Sequence, residues 1–149
     1  MAHLTDVCVF CRIIRGEIPA TTVYEDDQLL AFLDIAPLAP GHTLLIPKQH
    51  HVSLTTVPAE LAGRLLATAA RIAPAVMRAV EADGFNLLLS NGACAGQVVP
   101  HVHLHIIPRL PEDGLVLPHR TRPYADEAAR EAVRDAIRQR LAAPADPTP

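Results

Sequence analysis

Short apolar runs bounded by turn-forming residues predict strands along the first two thirds of the chain. They lie at residues 21–24, 29–33, 42–47 and 86–90. The first two runs flank the acidic segment 25–28, which favours a β-hairpin. The run at 42–47 is apolar throughout its middle, so we expect it to be a central strand. Earlier in the chain, an apolar patch within 7–20 predicts one or two helical turns followed by a loop.

Two stretches in which apolar residues recur every three or four positions predict amphipathic helices. The first stretch runs from about Pro58 to Asp83. Pro74 removes a backbone donor within it, so we expect either a kink near residues 70–74 or two helices in sequence. The second helix is expected over residues 124–142.

Three histidines alternate with apolar residues near the end of the predicted sheet. A period of two places His101, His103 and His105 on one face of a β-strand. An exposed polar strand face is the simplest alternative, and it would suffice for a single histidine. Imidazoles titrate near neutral pH and coordinate metals, so three in strict alternation favour a functional site.

Composition predicts a single globular domain over residues 1–142 and a disordered tail at 143–149. The chain has 149 residues, of which 50% are hydrophobic. Strands joined mostly by hairpins, with one long helix inserted, favour an α+β fold built on an antiparallel sheet. The net charge of -3 and the 3% of aromatic residues argue against a nucleic-acid partner. Without a signal-peptide pattern or a membrane-spanning run, we expect a cytoplasmic protein with no membrane partner.

Two further segments carry candidate chemistry. Cys8 and Cys11 form a C-x-x-C pair, for which a metal half-site, a redox pair and simple packing all remain open. Small residues at 91–97 lead towards the histidines, and short side chains let backbone N–H groups approach a phosphate. An ordinary loop between two strands is the alternative interpretation of that segment.

Several motifs together resemble the histidine triad (HIT) superfamily, in the branch of nucleotide phosphoramidases and their bacterial relatives. The segment His-Val-His-Leu-His-Ile-Ile at 101–107 matches the triad signature. The other matching segments are Cys-Val-Phe-Cys-Arg-Ile-Ile-Arg-Gly-Glu-Ile-Pro at 8–19, Ala-Phe-Leu-Asp-Ile at 31–35, Pro-Gly-His-Thr-Leu-Leu-Ile-Pro-Lys at 40–48 and Asn-Gly-x-x-x-Gly-Gln at 91–97. The similarity spans about residues 7–109, and the motifs are highly specific because they occur together.

The resemblance implies a five-stranded antiparallel sheet with one long helix, and a homodimer with a continuous sheet. It also implies a hydrolase that acts on the α-phosphate of purine nucleotide conjugates, with AMP or an AMP conjugate as ligand. His103 would attack the phosphorus and carry a nucleotidyl intermediate until water removes it. The backbone carbonyl of His101 would hold the other ring nitrogen of His103 as N–H, which leaves the attacking nitrogen free.

The resemblance assigns roles to further residues. His105 would contact the phosphate or the leaving-group oxygen, His42 matches a fourth histidine of the site, and Asp34 would accept the ribose hydroxyls. The remaining nucleotide-binding positions that it implies are Phe32 and Ile35 beside the base, and Asn91, Gly96, Gln97 and Val98 beside the phosphate. The family often has serine where this chain has Val98 and an aromatic residue where it has Pro100. Both departures concern the preference for a leaving group.

Zinc is a further feature that the resemblance implies. In zinc-containing relatives, a C-x-x-C pair joins a histidine after the third strand and the first histidine of the triad. The matching ligands here are Cys8, Cys11, His50 and His101, a closed set typical of a structural site. His51 is the alternative to His50, and packed thiols are the alternative to a metal. A catalytic metal held by all three triad histidines is disfavoured, because the outer two are four residues apart along one strand.

The preferred function is therefore hydrolysis of a nucleoside 5'-phosphoramidate or a related AMP conjugate through a nucleotidyl-histidine intermediate. A dinucleoside polyphosphate hydrolase is a close variant of this hypothesis. A nucleotide-binding module with little catalysis is the alternative from a different class, and Val98 is the residue that keeps it open. A purine nucleotide and a second copy of the chain are the expected partners.

Overall fold

A computed structural model of the protein describes residues 4–117 and 122–142. The strands in these ranges are β1 Thr22–Glu25, β2 Leu29–Leu33, β3 Thr43–Pro47, β4 Gly84–Leu88 and β5 Leu104–Arg109. The helices in the same ranges are α1 Leu4–Val7, α2 Val9–Ile14, α3 Ala59–Ala79 and α4 Glu127–Ala142. The strands form one antiparallel sheet in the order β1-β2-β3-β5-β4. The predicted α+β class and five-stranded antiparallel sheet are confirmed.

Strand β3 is central and is buried on both faces of the sheet. On one face, Leu45 belongs to a core cluster to which α3 contributes Leu65 and Ala69. On the other face, Leu44 and Ile46 belong to a second cluster that includes residues of α2. A strand covered on both faces carries apolar side chains without alternation, which is the pattern that the sequence shows at this strand.

Helix α3 excludes one of the two alternatives that Pro74 predicts. The helix is continuous through this residue, so two helices in sequence is wrong. Ile72 and Ala73, directly before the proline, are buried in the stripe that faces the sheet. Their packing offsets the cost of about 3 kcal/mol for proline inside a helix. The helix ends at Ala79, before the predicted end at Asp83.

The two strands that follow α3 along the chain also differ from their predicted bounds. Strand β4 begins at Gly84 rather than at residue 86, and its pairing with β5 runs from Gly84–Arg109 to Leu88–His105. Strand β5 begins at Leu104, so the strand prediction is wrong for the first residues of the histidine stretch. Just before β5, the N–H of Val102 donates to the carbonyl of His51 at 2.7 Å.

The alternation of faces nevertheless extends back before β5. Val102, Leu104 and Ile106 lie in the core cluster beneath α3. His101 and His103, at the intervening positions, are buried and contact the ring of Phe10 on the α2 side. An extended backbone alternates its side chains whether or not its ladder bonds form.

Gly41 determines how the chain turns into β3. Its φ is +81°, and a Cβ at this position would lie 3.0 Å from Val80 Cγ1 and 3.4 Å from Pro108 Cγ. A larger residue would therefore be strained and crowded at once. Since His42 follows directly, the position of its side chain depends on this close approach.

The chain divides into two compact units, Met1–Leu115 and Val116–Pro149. The C-terminal helix α4 lies in the second unit and begins at Glu127, where the side chain of Asp126 accepts a hydrogen bond from the N–H of Ala129 at 2.8 Å. The predicted tail at 143–149 lies outside the described residues. Among the described residues, helices long and apolar enough to cross a membrane are absent.

Candidate active site

Two thiols and two imidazoles meet where α2 faces the segment before β5. Cys8 Sγ lies 3.5 Å from His101 Nδ1, and Cys11 Sγ lies 3.3 Å from His50 Nδ1. Cys11 Sγ also lies 3.6 Å from His101 Nδ1, and the two Nδ1 atoms are 3.3 Å apart. We call these four residues the cysteine–histidine cluster. The structure thus brings the predicted ligand set together, with His50 rather than His51 as its fourth member.

The distances within the cysteine–histidine cluster match the edges of a zinc tetrahedron. With Zn–S bonds of about 2.3 Å and Zn–N bonds of about 2.0–2.1 Å, the S···N edges are about 3.5 Å and the N···N edge is about 3.3 Å. Both cysteines and His101 are buried, so these donors are closed off from solvent. A closed set of four protein ligands is typical of a structural metal site. The residues present therefore fit a structural zinc ion.

The ring proton of His101 lies on Nε2, which leaves Nδ1 unprotonated, as a nitrogen that binds a metal must be. Its Nε2 lies 2.8 Å from the carbonyl oxygen of Pro47, which only accepts, so Nε2–H donates and Nδ1 presents a lone pair to the cluster. Burial lowers the pKa of His101 to about 4 and also lowers the pKa of His50. Burial raises the pKa of the Cys11 thiol to about 11. A metal ion would displace that proton, because the thiolate is the ligating form.

His103 lies next to this cluster and is oriented by the backbone of His101. Its Nδ1 lies 2.6 Å from the carbonyl oxygen of His101, so Nδ1–H donates and Nε2 carries the lone pair. The side chain is only 6% exposed, so little water competes for the bare nitrogen. His101 therefore contributes its ring to the cysteine–histidine cluster, and its backbone carbonyl orients the ring of His103.

His42 and His105 form a hydrogen-bonded pair beside His103. His42 Nε2 lies 2.8 Å from His105 Nδ1, and the ring centroids of His103 and His105 are 4.9 Å apart. We call these three residues the histidine cluster. Burial, and next the nearby imidazoles of His103 and His42, lower the pKa of His105 to about 4. Burial also lowers the pKa of His42, against the smaller, raising effect of the Asp34 carboxylate.

Asp34 lies in the loop between β2 and β3 and borders the histidine cluster. Its Oδ1 accepts a hydrogen bond from the N–H of Ala36 at 2.9 Å, and its Oδ2 lies 3.7 Å from His42 Nδ1. One ligand atom from each of Asp34, His42 and His105 lies within 4.8 Å of the other two, which is a spacing to compare with that of a metal site. The 2.8 Å contact within the histidine pair is a hydrogen bond, however, and is shorter than the edge of about 3.3 Å between two nitrogen ligands of zinc.

The side chain of Gln97 shapes the glycine-containing loop at 91–97. Its Oε1 accepts from the N–H of Gly92 at 2.7 Å. Its Nε2 donates to the carbonyl oxygens of Val52 and Val99, at 2.7 and 3.1 Å. Both amide donors are therefore engaged within the chain, and the side chain acts on the conformation of the loop.

Asn91 anchors the start of the same loop by hydrogen bonds, and Gly96 allows the backbone to turn near its end. Asn91 Oδ1 accepts from the N–H of Leu54 at 2.7 Å and from Ser53 Oγ at 3.2 Å. Gly96 has a φ of 89°, a conformation that glycine adopts without strain. These contacts attach the loop to the segment that follows His50, so the loop and the cysteine–histidine cluster share one support.

The remaining predicted binding residues differ in exposure. Phe32 is 4% exposed, and its ring lies 5.6 Å from that of Phe10. Ile35 is 100% exposed and Val98 is 89% exposed. Phe32 thus belongs to the core beneath the site, whereas Ile35 and Val98 present apolar surface.

Sequence reasoning missed Phe10. Its ring centroid lies 5.8 Å from that of His101 and 5.3 Å from that of His103, with both contacts edge-on. It therefore packs against both clusters and restrains their rings. The available signal was its place between Cys8 and Cys11, because a turn that brings two thiols to His101 also brings the residue between them.

The HIT domain family matches residues 15–112 of the chain. The chain belongs to the HIT family. The matching region contains the whole histidine cluster and begins after the two cysteines.

Relatives of this HIT-family chain extend the comparison. Adenylylsulfatase HINT3 of Arabidopsis thaliana is 43% identical over 129 residues, which cover 87% of this chain and 66% of that protein. Adenosine 5'-monophosphoramidase HNT1 of Saccharomyces cerevisiae is 43% identical over 117 residues, which cover 78% of this chain and 72% of that protein. A crystal structure of a Zn-bound histidine triad family protein from Mycobacterium smegmatis matches with a TM-score of 0.71 and 42% identity, covering 91% of this chain and 96% of that chain.

Proposed function

We propose that this HIT-family protein is a nucleotide hydrolase that cleaves nucleoside 5'-phosphoramidates or related AMP conjugates through a nucleotidyl-histidine intermediate. The observation that carries the proposal is the 2.6 Å contact between His103 Nδ1 and the carbonyl oxygen of His101. It leaves Nε2 as a nucleophile that needs no prior loss of a proton. Relatives named adenylylsulfatase and adenosine 5'-monophosphoramidase support AMP conjugates as the substrate class.

The proposed reaction consists of two displacements at the α-phosphorus. In the first, His103 Nε2 forms an N–P bond while the bond from phosphorus to the leaving group breaks, and its electron pair departs with that group. In the second, water attacks the phosphorus, the N–P bond breaks, AMP is released and the proton of water passes to solvent. His105 lies beside His103 to donate to phosphoryl or leaving-group atoms, and Asp34 is the proposed acceptor for the ribose hydroxyls.

We also propose a structural zinc ion in the cysteine–histidine cluster. The edge distances of the cluster and the Zn-bound relative from Mycobacterium smegmatis support this proposal. Bound zinc would tie α2 to the segment before β5, which carries the carbonyl that orients His103. Elemental analysis after gentle purification should find about one equivalent of zinc per chain. Less than about a tenth of an equivalent would contradict the proposal.

A second copy of this chain is the partner that we propose for β4. In the described part of the chain β4 is an edge strand, and Phe85, Leu87 and Leu88 are 39%, 37% and 39% exposed. An apolar edge with unpaired backbone groups favours pairing with another strand. Sedimentation analysis should give a dimer, and Leu87→Lys should shift it towards monomer. A monomeric wild-type protein at micromolar concentration would contradict this assignment.

The catalytic proposal is tested by turnover and by trapping of the intermediate. The full chain is incubated with adenosine 5'-phosphoramidate, adenylyl sulfate and a dinucleoside polyphosphate, and AMP release is measured. Rapid denaturation followed by mass spectrometry should reveal an adenylyl adduct on the peptide that contains His103. His103→Ala should lose both the adduct and turnover. An adduct on another residue, or turnover retained in this variant, would refute the assignment of the nucleophile.

Tight AMP binding without turnover of any substrate would instead favour a nucleotide-binding module with little catalysis. The exposed apolar side chain of Val98, in a position where a hydroxyl could have assisted the leaving group, keeps this alternative under test. Calorimetry with AMP and the substrate panel are sufficient to distinguish the two functions.

A further inference from the structure

We propose that the backbone amide of Leu38 sets the tautomer of His105 through His42, so that His105 faces the ligand as a hydrogen-bond donor at Nε2. Leu38 is then a positioning residue that acts through its N–H rather than through its side chain. The inference rests on the proposed function, because the group that receives this hydrogen bond is the phosphoryl or leaving group of a nucleotide conjugate.

The positions of the ring protons on His42 and His105 follow from the backbone N–H of Leu38, which can only donate. The N–H of Leu38 lies 3.1 Å from His42 Nδ1, so this nitrogen accepts and the proton of a neutral His42 ring lies on Nε2. His42 Nε2 lies 2.8 Å from His105 Nδ1, so the second ring accepts at Nδ1 and holds its own proton on Nε2. Through these two hydrogen bonds, the amide donor of Leu38 determines that Nε2 of His105 is the protonated nitrogen.

The tautomer of His103, which lies directly before β5, is set in the opposite way. The carbonyl oxygen of His101 can only accept, and it holds the proton of His103 on Nδ1. His103 and His105, whose rings are 4.9 Å apart, therefore hold opposite tautomers. One ring offers a bare nitrogen for attack, and the other offers an N–H to the same ligand.

Asp34 is the competing partner for His42 Nδ1. Its Oδ2 lies 3.7 Å from that nitrogen, which is longer than a hydrogen bond. If His42 donated from Nδ1 to this carboxylate, its Nε2 would accept, and His105 would become the Nδ1–H tautomer with a bare Nε2. A bare nitrogen would repel phosphoryl oxygens, so the contact from Leu38 excludes the unproductive arrangement.

The loop between β2 and β3 holds the Leu38 amide in position. The N–H of His42 donates to the carbonyl oxygen of Ala39 at 3.0 Å, and the N–H of Asp34 donates to the carbonyl oxygen of His42 at 2.9 Å. The side chain of Leu38 is 52% exposed. Substitutions at residue 38 can therefore test the role of the amide N–H separately from that of the side chain.

Imidazole ¹⁵N NMR of the labelled wild-type protein, alone and with AMP, tests the tautomers directly. Bare and protonated ring nitrogens have well-separated shifts and different couplings to the ring protons. We expect Nε2–H on His42 and His105, and Nδ1–H on His103. A His105 ring protonated on Nδ1 and bare on Nε2 would overturn the inference. This measurement does not depend on turnover, so it remains decisive even if the proposed function fails.

A matched pair of variants tests the consequence for activity. Leu38→Pro removes the amide hydrogen, whereas Leu38→Ala keeps it and shortens the side chain. Loss of one oriented hydrogen bond predicts about a tenfold fall in turnover of adenosine 5'-phosphoramidate for L38P, against less than about twofold for L38A. The His105 spectrum of L38P should show mixed tautomers. An unchanged spectrum with unchanged turnover in L38P would overturn the inference, and if this variant fails to fold the wild-type spectrum still decides.

Discussion

The cysteine–histidine cluster and the histidine cluster use the same side chain in opposite ways. His101 donates from Nε2 to the carbonyl of Pro47 and turns its Nδ1 lone pair towards Cys8 and Cys11. His103, two residues later, donates from Nδ1 to the carbonyl of His101 and keeps its lone pair on Nε2. In each ring a backbone carbonyl fixes which nitrogen is protonated and which one carries the lone pair. The histidine itself supplies only the two nitrogens.

The two clusters also differ in what completes them. The cysteine–histidine cluster contains four donors from three separate segments, so it is closed by the protein itself. In the histidine cluster, both nitrogens of His42 and the Nδ1 atoms of His103 and His105 are hydrogen-bonded within the chain. The Nε2 atoms of His103 and His105 are left for a ligand. A change in the cysteine–histidine cluster should therefore act mainly on metal content and stability, whereas a change in the histidine cluster should act mainly on turnover.

Removal of the nucleophile should have the largest effect. His103→Ala should lower AMP release from adenosine 5'-phosphoramidate by about 1000-fold or more, because covalent catalysis fails without the attacking nitrogen. Zinc content should remain that of the wild type, since the His103 ring is not a member of the cysteine–histidine cluster. A parallel loss of zinc would show that the two clusters are not separable.

Removal of the thiols should have the next largest effect, and it should act on stability. In the double variant Cys8→Ser, Cys11→Ser, zinc should fall to background and the melting temperature should drop by about 10 °C, which corresponds to about 3 kcal/mol. Cys94→Ser is the matched control, because Cys94 is a free and exposed cysteine. Equal zinc content in the double variant and the control would contradict the assigned ligands.

Acid should weaken the fold through the histidine cluster. The pKa of His105 lies at about 4 against an ordinary value of 6.5, so as the pH falls the unfolded chain binds a proton before the folded chain does. Stability from this group is complete above about pH 6.5 and decreases as the pH falls towards about 4. Urea unfolding across this range should show the decrease, and His105→Gln should reduce its slope. A slope identical in both proteins would contradict the prediction.

The smallest expected effect concerns the leaving group. Val98→Ser adds a hydroxyl at an 89% exposed position, so stability should stay within about 0.5 kcal/mol of the wild type. Turnover of the phosphoramidate should rise by about threefold if the hydroxyl assists departure, with a smaller change for adenylyl sulfate. Steady-state kinetics with both substrates checks this difference, and equal changes for both would argue against a role at the leaving group.

Local patterns predicted the fold better than they predicted its boundaries. The hairpin of β1 and β2 and the central strand β3 follow from runs that need no distant partner to be recognised. Of the two alternatives based on Pro74, two helices in sequence was wrong, because tertiary packing of the stripe around Ile72 outweighs a local penalty. The start of β5 was misplaced because residues before Leu104 keep the alternation of a strand but bond elsewhere.

The amino-acid sequence by itself determined which chemical groups the protein can use: two spaced thiols, alternating imidazoles, a carboxylate and a loop of small residues. The tertiary structure chose His50 over its alternative His51, and it packed Phe10 against both clusters. It alone decided which ring nitrogen carries the proton in His101, His42 and His105. The reason is physical. The carbonyl of Pro47 and the amide of Leu38 are backbone groups of a kind that nearly every residue carries, so the fold determines which side chain each of them meets.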